Sequence, residues 1–136
     1  MRGDLFAAVP GQQFDVIVSN PPYLISASGE LPRRGPRRSW DAGPDGRVFL
    51  DRICAQAHRH LAPGGVLLLV HSSLNDEQLT LGALARTGLE VRIAERRHGP
   101  LGKRMRARAP MLRERGLLPQ GEVEDIVIVR AQRPRE

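Results

Sequence analysis

Short apolar runs alternating with helical patterns predict an α/β fold. Phe14–Ser19 and Val66–Val70 are nearly continuous in apolar residues, the pattern of parallel strands buried on both faces. Between them Phe49, Leu50, Ile53, Ala57 and Leu61 recur at helical spacing. A strand, a crossover helix and a second strand make parallel neighbours.

The remaining elements follow in order. Residues 1–13 read as a loop ending in Pro10-Gly11. Residues 24–44 are rich in Gly, Pro, Ser and Arg without an apolar period, which predicts a long mobile loop and a candidate lid. Pro44-Asp45-Gly46 opens the first helix, which runs to about His60, and Pro63-Gly64-Gly65 ends that unit. Asn75 through Gln78 has the spacing of a capping box, so a second helix is expected from there to about Thr87, with Gly88 at its C′ position. Leu89–Arg96 alternates as a third strand. Residues 98–121 form a basic insertion in which Pro110 breaks any long helix. A short helix from Pro110 to Arg115, closed by Gly116, is expected there. Ile126–Arg130 is the final strand.

Composition narrows the class. A chain of 136 residues holds at most one domain, and 40% hydrophobic content allows a packed core. The net charge of +6 invites a nucleic-acid partner. Lys103 is the sole lysine among 21 basic residues, however, so biased codon usage explains the arginines as well. Arg104, Arg106, Arg108, Arg113 and Arg115 fit a contact to RNA or an acidic partner, or a solvated basic face. The lone Cys54 excludes an internal disulfide, suits a reducing, cytoplasmic setting and shares the helical stripe, so it is read as core. No run is long enough to span a membrane, and no metal site is expected.

The chemistry concentrates in Asn20-Pro21-Pro22-Tyr23, placed directly after the first strand. Such a tetrapeptide suits the gripping of a planar NH2 group. That nitrogen is a poor nucleophile because its lone pair is delocalised. Two acceptors, the Asn20 side-chain oxygen and the Pro21 carbonyl, can draw its protons aside and localise the lone pair. Pro22 holds Pro21 extended and so restricts the direction of that carbonyl. Tyr23 offers a flat face for stacking. Asp15 is given no role, and His71 is read as packed or solvated rather than as a base.

The run FDVIVSNPPYL resembles motif IV of the S-adenosylmethionine-dependent amino-methyltransferases, and within them the HemK-like release-factor glutamine methyltransferases. Trp40 to Ile53 resembles the W-x-x-G-x-x-G-R-x-x-x-D-R segment of their eukaryotic and archaeal branch, and HLAPGGVLLLVHSS resembles the next strand. The likeness covers most of residues 3–97. It implies the C-terminal half of a Rossmann-like class I methyltransferase sheet ending in an antiparallel hairpin, with Leu89–Arg96 paired to Ile126–Arg130. It implies S-adenosyl-L-methionine as cofactor and a protein glutamine, in a translation release factor, as acceptor. Asp4 would accept from the cofactor adenine within the loop Gly3-Asp4-Leu5-Phe6, so Asp4, Leu5 and Asn20 are the cofactor-side candidates. Trp40, Gly43, Gly46 and Arg47 belong to the resembling segment and fit helix entry as well as substrate contact.

A class I methyltransferase needs a glycine-rich turn after its first strand and an acidic residue after its second. Neither is present: Gly43-x-x-Gly46 follows no strand, Gly64-Gly65 precedes one, and Gly99-x-x-Gly102 lies in the basic insertion. Residues 1–136 are therefore expected to be a single partial domain without the cofactor-binding N-terminal half, inactive alone. Phe14–Ser19 would then be an apolar edge strand. Two rivals remain: an adenine-N6 nucleic-acid methyltransferase with the same tetrapeptide, which must flip its base, and a non-catalytic half-domain.

Overall fold

The computed structural model describes residues 9–23, 25, 43, 46–118 and 121–135. Its sheet has four strands: β1 (Phe14–Ser19), β2 (Leu61–Ser72), β3 (Glu90–Pro100) and β4 (Val123–Gln132), in the order β1-β2-β4-β3. β1 and β2 are parallel, joined through helix α1 (Val48–Gln56) and a 3-10 turn, Ala57–His60. β4 enters antiparallel between β2 and β3. The α/β class and the closing antiparallel hairpin are as expected.

Helix α2 (Glu77–Arg86) follows β2 and packs beside α1. Leu50, Ile53, Cys54 and Ala57 from α1 and Leu84 from α2 share one core with Leu67 and Leu69 of β2 and Val127, Val129 and Ala131 of β4. Cys54 is thus core, and burial pushes its thiol up to about 11. Ile17 reaches this core from β1. Val16 and Val18, pointing the other way by strand alternation, are 60% and 69% exposed. The expectation that β1 is buried on both faces is therefore corrected: it lies at the sheet edge, and the helices cover one face.

β2 is longer than its apolar run. Pro63-Gly64-Gly65 does not end the unit but carries the strand through a bulge: the register shifts between Phe14 and Val16, and Gly64 and Gly65 exchange backbone hydrogen bonds with Arg133. His60 Nδ1, 2.9 Å from the Gln12 carbonyl, ties the entry of β1 to the same corner.

The start of α2 also differs. Its N-cap is Asp76, whose carboxylate accepts from Leu79 N–H at 3.3 Å, not Asn75. The capping box belongs to the preceding 3-10 turn, Ser73–Asn75, between Ser72 and Asn75. Asp76 adopts φ +66°, and that left-handed step turns Asn75 inward, where it is buried. Gly88 stands just past α2 with φ +92°, as the expected C′ residue.

The basic insertion is more ordered than its composition suggests. Its first residues extend β3, and helices α3 (Lys103–Arg106) and α4 (Ala109–Glu114) follow, the latter close to the expected Pro110 helix and closed by Gly116. Leu101, Met105, Ala109, Leu112 and Leu118 form a second apolar cluster with Ile25. The expected loop over 24–44 lies outside the described residues except for Ile25 and Gly43, both buried.

Candidate acceptor site at the carboxyl edge of the sheet

Asn20 is the first residue past β1, at the carboxyl end of two adjacent parallel strands, where open α/β sheets bind ligands. It is exposed and makes no hydrogen bond among the described residues. Pro21 is buried, Pro22 half-buried. Tyr23 packs part of its side chain on the main core. Burial first, and the charge of Glu124 second, raise its phenol above the ordinary value. Asp4 and Leu5 lie outside the described residues.

The backbone of this segment is gripped from two sides. Asn75 Nδ2 donates to the Tyr23 carbonyl at 2.8 Å, while Asn75 Oδ1 accepts from Ser72 N–H at 3.1 Å. Two residues on, the Ile25 carbonyl accepts from Arg108 at 2.6 Å, with the Ile25 side chain in the second cluster. Glu124, on β4 beside that cluster, accepts from Gly102 N–H at 2.9 Å.

Behind the motif lies a buried polar network. Arg47, 1% exposed, donates through Nη1 to the Asn75 carbonyl at 2.7 Å, the Asp76 carbonyl at 3.1 Å and Thr80 Oγ1 at 2.8 Å, and its Nε donates to Asp51 at 3.0 Å. Thr80 Oγ1 is 2.9 Å from His71 Nε2, and His71 Nδ1 is 2.9 Å from the Ser72 carbonyl. A carbonyl only accepts, so His71 carries its proton on Nδ1 and Nε2 accepts from Thr80. Burial, the largest influence, holds its pKa below the usual histidine value.

Gly46 completes the arrangement. It has φ +74°, and a Cβ there would stand 2.3 Å from both Asn75 Nδ2 and the Tyr23 carbonyl oxygen. The hollow at this glycine is thus filled by the protein itself and forms no ligand cradle. None of the described residues makes a cofactor-holding turn. Gly46 and Arg47 serve the helix entry and the neighbouring turn. Asn75 and Thr80 read in the sequence as a helix cap and a helix face, and only the fold brings them beneath the motif.

No family model matches the sequence. A protein of Methanocaldococcus jannaschii, provisionally named a protein N5-glutamine methyltransferase, is 38% identical over 104 residues, 76% of this chain and 52% of that protein. A release factor glutamine methyltransferase of Gloeobacter violaceus is 42% identical over 74 residues, 51% of this chain and 26% of that one. A ribosomal protein uL3 glutamine methyltransferase of Bordetella pertussis is 44% identical over 72 residues, 50% and 24% of the two chains. The chain thus spans about half the length of the first of these relatives and about a quarter of the other two. Among solved structures, the E. cuniculi Mtq2-Trm112 complex, responsible for methylation of the eRF1 termination factor, contains a chain that superposes with a TM-score of 0.61 at 21% identity. That match covers 98% of this chain and 60% of that one. A methyltransferase from Pyrococcus furiosus gives 0.53 at 18% identity, over 97% and 47%. The chain is therefore a homologue of the protein glutamine methyltransferases, related over part of their length and built on the class I methyltransferase fold.

Proposed function

We propose that this chain provides the acceptor half of an S-adenosylmethionine-dependent methyltransferase acting on the side-chain amide of a protein glutamine, a translation release factor being the favoured partner. The observation that carries the reading is the position of Asn20-Pro21-Pro22-Tyr23 at the carboxyl edge of β1, in a chain whose relatives are named glutamine methyltransferases. S-adenosylmethionine, when bound, supplies an electrophilic methyl group. The chain's own part is to orient the nitrogen. The Asn20 side-chain oxygen and the Pro21 carbonyl would accept hydrogen bonds from the two amide N–H groups, so the lone pair is turned out of conjugation with the carbonyl. As the N–C bond forms and the S–C bond breaks, one of those protons is lost to solvent. The Tyr23 ring limits the tilt of the amide plane. Catalysis by positioning is sufficient for a displacement whose leaving group departs neutral.

The cofactor is held, in this reading, by Asp4, Leu5 and Asn20 together with a glycine turn that the 136 residues lack. Cytoplasmic residence goes with the release-factor substrate. No helix among the described residues is long and apolar enough to cross a membrane.

The test is methylation with radiolabelled S-adenosylmethionine and a release factor, using the chain alone and the chain joined to the cofactor-binding part of a relative. Methyl on a glutamine amide in the joined protein, and none with the chain alone, is the expected result. Methyl on adenine in nucleic acid would replace this reading with the nucleic-acid one.

A further inference from the structure

We propose that Asn75 is the positioning residue of the acceptor motif, with Gly46 and Arg47 holding it in register. The catalytic consequence rests on the function proposed above; the conformational content does not.

The need arises in the motif itself. Pro21 and Pro22 have no N–H, so the segment after β1 cannot be anchored by its own backbone donors there. With those two donors missing, a carbonyl is a natural handle, and Asn75 Nδ2 acts on that of Tyr23 at 2.8 Å. Fixing this carbonyl fixes the peptide plane that follows Tyr23 and, with the φ of Pro22 set by its ring, narrows the conformations open to Tyr23 and to the Pro21 carbonyl.

Each freedom of Asn75 is removed in turn. Flipping its amide would lose both the Tyr23 bond and the bond from Ser72 N–H to Oδ1. Its main chain is held by Arg47 at the Asn75 and Asp76 carbonyls. On the opposite side Gly46 stands so close that any side chain would drive the amide nitrogen and the Tyr23 oxygen away. Adjacent residues Gly46 and Arg47 thus bracket Asn75, one at its amide nitrogen and one at its carbonyl. Helix entry alone does not require a buried arginine reaching 28 and 33 residues ahead.

Tyr23 is the sole tyrosine, so tyrosine labelled with carbon-13 gives one ring signal set. In the full chain, Asn75→Asp keeps an acceptor for Ser72 N–H but sets an oxygen against the Tyr23 carbonyl. The Tyr23 signals are expected to move and broaden while the methyl signals of Leu67 and Val129 stay in place. Unmoved Tyr23 signals would overturn the proposal. Should that variant fail to fold, Arg47→Lys, which keeps the charge and loses the fork, decides by the same signals. In the joined enzyme, Asn75→Asp is expected to lower kcat roughly 10–100-fold with KM for cofactor little changed. Moved Tyr23 signals in a protein whose parent never methylates glutamine would support this inference and sink the functional reading instead.

Discussion

The Thr80 hydroxyl donates to His71 Nε2 while accepting from Arg47, so three buried polar side chains share one hydrogen-bond direction, Arg47 to Thr80 to His71 to the Ser72 carbonyl. A proton on Nε2 would reverse the middle link and leave Thr80 with two donors and no acceptor.

Acid should therefore loosen the fold through His71. Its folded pKa is lowered, chiefly by burial, while the unfolded imidazole titrates at the ordinary 6.5. Below that pH the unfolded chain binds the extra proton, so stability falls from about pH 6.5 downward until the folded value is passed. Asp125, held low by Arg96 and then His98, adds stability that is kept above the ordinary carboxylate pKa and lost as pH falls through its lowered value. Thermal denaturation from pH 7.5 to 4.5 should show the first slope, and His71→Gln should reduce it below pH 6.5, leaving the part that comes from His58, whose pKa burial also lowers. An equal slope in both proteins would refute the assignment.

Asn20→Ala should separate activity from stability. Asn20 is exposed and unbonded within the described fold, so the melting temperature should stay within about 1–2 °C, a surface-substitution effect. Methyl transfer by the joined enzyme should fall roughly 10²–10³-fold, by analogy with loss of one preorganised hydrogen-bonding group at a reacting centre. A variant with most of its rate intact would remove Asn20 from the mechanism.

Gly46→Ala should destabilise by about 2–5 kcal/mol. Left-handed backbone costs an alanine about 1–2 kcal/mol and an overpacked contact about 1–3. Urea denaturation measures it; a loss under about 1 kcal/mol would mean that the Tyr23 carbonyl yields easily.

The β1 edge should cause self-association. Val16 and Val18 are exposed, and β1 has a neighbour on one side only among the described strands. Sedimentation should show oligomers growing with concentration, and a Val16→Lys, Val18→Lys double variant should shift the chain toward monomer. A concentrated monomer of the unsubstituted chain would contradict the edge argument.

The elements were readable where one period dominated. Phe14–Ser19 and the stripe from Phe49 to Leu61 were found because strand and helix periods differ, and the hairpin followed from the family resemblance. Strand lengths were not readable: β2 runs through Pro63-Gly64-Gly65, where turn letters conceal a paired bulge. Asn20 through Tyr23 stand out in the sequence because two prolines restrict their own backbone, and they lie at the end of β1 as expected. Asn75 could not, since its local pattern is that of a cap, and only the left-handed Asp76 turns it inward. The second cluster was hidden by arginines, whose charges outnumber the spaced Leu101, Met105 and Leu112 beneath them.

That second cluster is packed apart from the main core. Ile25 belongs to the smaller one, so the chain just beyond Tyr23 is tied to α3 and α4 rather than to the sheet core. Small clusters open at lower free energy than main cores. Amide hydrogens of α3 and α4 should accordingly exchange faster than those of β2 and β4 while the sheet stays folded. Opening of the two short basic helices would then free Ile25, two residues beyond the motif, by a partial unfolding that leaves the strands untouched.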